Sequence, residues 1–421
     1  MKRLIWLTAV FLMLFTSALP AMAQSGGEIT VSIDGLPVAF DVNPVIDNNR
    51  TLVPFRALAE ALNVQVTWDQ KTRTIVGADG KNTITLQIGS KTALRNGMAI
   101  PLDMPPRVLN GKTLIPLRFF SEAFACQVAW SPAENKIKIL SPPREMTVIG
   151  FYALGDRQTS SWTNLFGKPF PDAGVGNTDV VNTVALGWYS LDRQGNLLTK
   201  SSTGWQRPDD YEKVLDKAEE FGLKTQMVLH MTDGDGSLTN LLANEIAMRK
   251  AVAAIIEEAK NYQGVHLDFE GLGRQDKGEG LTRVRDSFSN FVNLLSQPLK
   301  AANLPLTLTL HAPNSAYQGY DYKKLGQMAD EIIIMAHDYG VKPEPVDLVT
   351  QAVKWASQMM PPEKLILGIS VPSETPESLV TKVGIAKRYQ LKGISLWRLG
   401  LVSEEMWTSL RTCVVTRKQK T

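Results

Sequence analysis

The sequence predicts an α/β chain: a (β/α)8 barrel preceded by a smaller α+β repeat domain. Eight short runs rich in β-branched residues alternate with helical patterns over the last two thirds of the chain, which is the mark of parallel βαβ units. In the first third, one block of residues returns at an offset of 62 positions, the mark of a duplicated unit. No Gly-rich phosphate loop follows the first run, which sets aside an open doubly wound sheet.

The chain opens with Lys2 and Arg3, an apolar stretch from Leu4 to about Leu19, and Ala21-Met22-Ala23. A positive start, an apolar middle and a small-residue end read as a signal peptide over residues 1–23, removed on export. What remains exceeds the size that one core usually serves, so more than one domain is expected. With 45 basic and 42 acidic side chains the net charge is +3, which excludes a nucleic-acid partner recognised by bulk charge. Two cysteines, Cys126 and Cys413, are too few and too far apart for a disulfide framework, and Cys126 suits an apolar slot.

Next comes the repeat. Arg50-Thr51-Leu52-Val53-Pro54-Phe55-Arg56 is answered by Lys112-Thr113-Leu114-Ile115-Pro116-Leu117-Arg118, and Val66-Thr67-Trp68 by Val128-Ala129-Trp130. Each unit adds a short amphipathic helix, Ala57 to Leu62 and Phe119 to Phe124, then an alternating strand, Thr72 to Val76 and Lys136 to Leu140. The repeat covers residues 28–141 and resembles the amino-terminal domain of copper amine oxidases. It contains no His, so the copper of that family's name has no ligands here. Arg56 and Arg118 suit either contact with wall anions or an anchor on a backbone carbonyl or carboxylate.

After Ser141-Pro142-Pro143, the barrel is expected over residues 146–411. Its strands are read at Thr147 to Ala153, Thr178 to Tyr189, Lys224 to His230, Gly264 to Glu270, Leu306 to His311, Glu331 to His337, Leu365 to Val371 and Gly393 to Leu399. Helices are clearest at Asp209 to Phe221, Glu245 to Tyr262, Val284 to Ala302 and Leu348 to Met360. Barrels of this kind collect chemistry at the carboxyl ends of their strands, and the fourth run ends His266-Leu267-Asp268-Phe269-Glu270. Period-2 geometry puts His266, Asp268 and Glu270 on one face. Two acids so close can share a proton, which raises the apparent pKa of the pair toward what a general acid needs.

Those residues resemble the D-x-x-D-x-D-x-E motif of glycoside hydrolase family 18, with Asp268 as its third Asp and Glu270 as its Glu. Gln263 and His266 stand where the first two acids fall. The resemblance implies a glycosidase that cleaves β-1,4 bonds of N-acetylglucosamine-containing glycan, peptidoglycan or chitin, by substrate-assisted retaining catalysis. Glu270 is then acid and base, and Asp268 orients the substrate's acetamido group. Met335-Ala336-His337-Asp338-Tyr339 resembles the family's M-x-Y-D on the sixth strand, and Trp397 its floor beneath the reacting sugar. Substrate-binding residues implied in this way are Asp338, His337, Tyr339, Trp397 and His266, with no metal and no cofactor. The resemblance is nearest to compact members that act on bacterial walls and spore cortex. It implies a secreted, wall-associated protein whose partner is a polysaccharide, with the repeats as a possible wall attachment. Only Pro372 to Lys392 separates the last two strands, too short a span for the small extra domain that walls the groove of many chitinases.

Two other classes compete. His230, His266, His311 and His337 all fall at ends of predicted strands three to six, a gathering that would also suit a metal-dependent barrel hydrolase. A barrel that binds glycan without cutting it is the second.

Overall fold

The computed structural model describes residues 28–153, 159–200 and 204–417. The expected signal peptide, residues 1–23, lies outside them. Among the described residues no helix is long and apolar enough to cross a membrane.

In the amino-terminal module the duplication becomes an internal two-fold. The strands Arg50–Pro54 and Lys112–Pro116 pair antiparallel, with Val53 opposite Ile115 and Leu52 opposite Pro116. A residue therefore meets its own counterpart at the centre of the ladder, as at a self-complementary dimer interface. Short helices, Phe55–Ala61 and Leu117–Ala123, follow each strand and start two residues earlier than the sequence suggested. Val53, Ile115, Leu58, Phe120 and Cys126 share one buried core. Arg118 is anchored within the module: its guanidinium donates to Glu122 and to the Val128 carbonyl, both at 3.4 Å.

Eight parallel strands then form the barrel: β1 (Thr147–Tyr152), β2 (Thr183–Leu191), β3 (Lys224–Thr232), β4 (Val265–Glu270), β5 (Leu306–His311), β6 (Glu331–Met335), β7 (Leu365–Ser370) and β8 (Gly393–Trp397). Each pairs with the next, and β8 pairs back onto β1, so the sheet has no open edge. Around it run α1 (Ser161–Phe166), α2 (Tyr211–Glu220), α3 (Ser237–Leu242), α4 (Glu245–Glu258), α5 (Gly278–Ala301), α6 (Tyr322–Met328), α7 (Val346–Met359), α8 (Pro376–Arg388) and α9 (Glu404–Cys413). Local signals set several of their starts. The Asn244, Asp321 and Ser403 side chains accept from the first turns of α4, α6 and α9, and Thr375 closes a reciprocal capping box with Ser378 at α8.

Strand alternation builds two cores. On β1, Ile149 and Phe151 point inward and join Ala185, Val228, Ile333 and Ile366 in the barrel interior, while Val148 and Tyr152 pack outward against the helices. On β4, Val265, Leu267 and Phe269 belong to the outer core, which leaves His266, Asp268 and Glu270 to the interior. Between β7 and β8 the chain forms a short 3-10 turn and the 13-residue α8, with no additional sheet.

The module meets the barrel along the last turns of α8. Asp34 accepts from Ser141, and Lys387 donates to Ser141 Oγ at 3.0 Å and to the Pro142 carbonyl at 3.1 Å. The Asp34 and Lys387 charges stand 3.9 Å apart at 5% and 7% exposure. Gly384 permits this approach, because a Cβ there would lie 2.7 Å from the Asp34 carbonyl oxygen. Asn63 and Arg388 add hydrogen bonds across the same seam.

Candidate active site

At the carboxyl ends of the strands, a cavity of about 220 Å³ is lined by Asp268, Glu270, His311, His337, Asp338 and Trp397, among others. They come from the ends of four strands or the residues just beyond them: Asp268 and Glu270 from β4, His311 from β5, His337 and Asp338 after β6, and Trp397 from β8. Adjacent pairing explains the assembly: His230 on β3 stands beside Asp268 on β4, and Thr309 on β5 stands on the other side.

Glu270 sits between two imidazoles. His230 Nε2 is 3.3 Å from its Oε1, and His311 Nε2 is 4.0 Å from its Oε2. The Gly271 amide donates to His311 Nε2 at 3.2 Å, so that nitrogen carries a lone pair and His311 is neutral. Burial agrees, pulling His311 down to about 4. Burial opposes charge on His230 too, yet its hydrogen bond with Glu270 holds it above its ordinary value. For Glu270, burial pushes upward, but the hydrogen bond and charge of His230 leave it below the usual carboxylate range. Asp268 is only 2% exposed, and its Oδ1 is buried with no hydrogen-bond partner among the described residues. Burial first, then the charge of Glu270, push Asp268 up to about 8. One proton therefore stays with the pair at neutral pH, resting on Asp268 when no substrate is bound.

An aromatic wall closes one side of the cavity. The Trp397 ring packs at 5.0 Å from Phe151 and 5.4 Å from Trp205, centroid to centroid. Trp205 reaches this place over Gly187, where a Cβ would lie 3.0 Å from its ring. On another side His337 Nδ1 meets Asp338 Oδ2 at 3.0 Å, and the Asp338 side chain is 81% exposed at the rim. His337 holds the Asp338 carboxyl below its ordinary value through that bond, against a smaller effect of burial.

Two residues implied as substrate contacts stand elsewhere. His266 is fully buried, and both of its nitrogens are engaged, Nδ1 with Gln226 Oε1 at 3.0 Å and Nε2 with Thr309 Oγ1 at 2.6 Å. Burial pulls its pKa down to about 3, so it is a neutral strut inside the barrel, and the expectation that it touches substrate is corrected. Tyr339 turns away from the cavity and donates to Asn314 Oδ1 at 2.8 Å. Gln263 lies at the opposite end of β4, where its side-chain oxygen accepts from the Thr225 amide at 2.8 Å. Sequence reasoning noticed His230 and His311 only as members of a set of histidines at strand ends. Phe151 and Trp205 carried no signal that separates them from core aromatics.

A larger cavity, about 700 Å³, lies in the amino-terminal module, but the acids that line it, Asp103 and Glu122, are paired with Arg50 and Arg118.

Residues 149–373, more than half of the chain, match the model of the glycosyl hydrolases family 18. The chain belongs to glycosyl hydrolase family 18. Residues 32–139 match the copper amine oxidase N-terminal domain. Among curated relatives of this family-18 chain, an uncharacterized glycosylase of Bacillus subtilis, YvbX, is 21% identical over 306 residues, covering 55% of the chain and 84% of the relative. The cortical fragment-lytic enzyme of Bacillus anthracis is 22% identical over 257 residues, 53% of the chain and 56% of that enzyme. Solved structures similar to the family-18 barrel include a chitinase from Chromobacterium violaceum (TM-score 0.52, 19% identity, 63% of this chain and 98% of that one). The Bacillus megaterium spore cortex-lytic enzyme SleL is another (TM-score 0.52, 16% identity, 74% and 79%). At these identities the structures share the fold. Membership in family 18 makes the protein a glycosidase.

Proposed function

We propose that this glycosidase is exported and cleaves β-1,4 bonds of an N-acetylglucosamine-containing wall polymer, with peptidoglycan ahead of chitin, using Glu270 and Asp268. The observation that carries the reading is the buried Asp268 Oδ1, which has no hydrogen-bond partner among the described residues, beside Glu270 in a cavity walled by Trp397. A buried polar atom left without a partner is costly unless a ligand satisfies it. The acetamido N–H of a bound sugar is such a partner for an ionised Asp268.

The chemistry then runs as follows. Sugar enters over Trp397 and excludes water. The proton held on Asp268 passes to Glu270, which desolvation now favours in its neutral form. Glu270 donates that proton to the glycosidic oxygen as the bond to the anomeric carbon breaks, and the substrate's own acetamido oxygen attacks the same carbon. Asp268, now ionised, accepts from the acetamido N–H and stabilises the cationic oxazolinium. Glu270 finally takes a proton from the incoming water, which restores the sugar with retained configuration. His337 and Asp338 are placed to hydrogen-bond the reacting sugar from the rim. The 1–23 signal sequence and the similarity to cortex-lytic and chitinase relatives support export and a wall polymer. Wall attachment through the repeats belongs to the same reading.

The test is reducing-end release from purified peptidoglycan, with chitin oligosaccharides in parallel, by the mature protein and by Glu270→Gln. Reducing N-acetylglucosamine ends made by the parent and lost in the variant, with sugar binding retained, support the reading. Binding without release by the parent makes the barrel a lectin. A second reading draws on the ligand atoms of His230, Asp268 and Glu270, which all lie within 4.8 Å of one another, a spacing that suits a divalent cation such as zinc. The same assay with a chelator separates the two, because release by the carboxylate pair persists and release by a metal-bound water stops.

A further inference from the structure

The turn that carries Asp338 is held from behind by a residue with no role in the chemistry above. Asp338 has a left-handed backbone, φ +64°, a region open to few residues besides Gly, Asn and Asp. The fixing group is Glu344. Its Oε1 accepts from the Asp338 amide at 3.0 Å and its Oε2 from the Tyr339 amide at 3.1 Å, so one carboxylate clamps two successive N–H groups. Glu344 is 3% exposed. Its own carbonyl accepts from Lys382 Nζ of α8 at 2.7 Å, and Lys382 is ion-paired with Glu374 at 3.2 Å, both side chains almost wholly buried.

Two carboxylates and one ammonium are thus withdrawn from water within one network. Such burial rarely repays its desolvation in stability and is well attested as a means of fixing one conformation. What is fixed here is the rim turn, and with it the carboxylate that meets His337 and faces the cavity. We propose that Glu344 is a positioning residue for the hydrolytic site: clamped to α8 through Lys382 and Glu374, it sets the Asp338 carboxylate and its His337 partner at the sugar. The inference rests on the reading of the cavity as the place of glycoside cleavage.

Glu344→Gln keeps the size of the side chain but leaves one oxygen acceptor for two amides and turns an NH2 group toward one of them. The expected result is a fall in kcat on the order of 10- to 100-fold, with KM changed far less. The deciding measurement is a double-mutant cycle with Asp338→Asn. If Glu344 acts through Asp338, adding Glu344→Gln to Asp338→Asn costs nothing further, whereas equal costs in both backgrounds overturn the proposal. Unchanged activity of Glu344→Gln alone overturns it as well. Should the Gln variant fold poorly by circular dichroism, Glu344→Asp, which retains two acceptor oxygens at shorter reach, enters the same cycle. A parent protein without hydrolytic activity counts against the catalytic reading instead, and the cycle is then read on chito-oligosaccharide binding by Trp fluorescence, where additivity again overturns the clamp.

Discussion

The His230 imidazole and the Glu270 carboxylate meet at 3.3 Å across neighbouring strands β3 and β4, and this contact decides which acid of the pair holds the proton. The His230 ring, held toward its charged form by this contact, favours an ionised Glu270, while burial and Glu270 itself favour a neutral Asp268. With one proton on the pair as the active form, the acid limb of the pH profile reports uptake of a second proton, and the basic limb reports loss of the only one.

His230→Gln keeps a hydrogen-bond donor near Glu270 and removes the positive charge. The ionised form of Glu270 loses that support, so its pKa rises. The acid limb of kcat/KM is expected to move to higher pH by roughly one unit, which narrows the active range. An acid limb that stays in place means that another group sets it.

Asp268→Asn tests the burial of the same pair by stability. In the folded protein Asp268 titrates near 8, above its ordinary 3.8, so the folded state holds this proton more tightly than the unfolded chain. Its contribution to stability is fully present below about pH 4 and is lost as pH rises toward 8. The variant lacks this loss. Its Tm relative to the parent should rise between pH 5 and pH 8, and a constant difference across that range would contradict the raised pKa.

Trp397→Ala removes the aromatic wall and is expected to raise KM for chito-oligosaccharides on the order of tenfold, with Trp397→Phe recovering part of the loss. Equal KM values for parent and Ala variant would place the sugar elsewhere.

Lys387→Ala removes the opposite charge beside buried Asp34, which keeps its Ser141 hydrogen bonds, and should lower stability by about 3 kcal/mol in urea unfolding, with cleavage of short soluble oligosaccharides by the folded fraction unchanged. A loss of specific activity would show that the seam communicates with the cavity.

How far the chain could be read in advance differs between its parts. The barrel was legible because each strand is a β-branched run; Leu306 to His311 is reproduced to the residue, and only the ends of others shift, as where β2 starts at Thr183 rather than Thr178. The inward face of β4 was legible too, since alternation alone puts Asp268 and Glu270 together. Depth along the strand was not: His266 shares their face but lies one layer down, where Gln226 and Thr309 occupy both of its nitrogens. Contacts across strands were equally hidden, because the meeting of His230 with Glu270 depends on barrel register, which no local pattern encodes. Glu344 lies in an irregular turn between Pro343 and Pro345, and its clamp on two amides exists only once that turn is folded.

α8 begins beside the mouth, just past the carboxyl end of β7, and runs down to the point where β8 starts, and the module grips its final turns. The chain is therefore bipolar, with the duplicated module at the base and the cavity at the crown. Under the wall attachment proposed for the repeats, the crown would face away from the anchorage, and a tethered molecule would work on strands lying beyond the one that retains it.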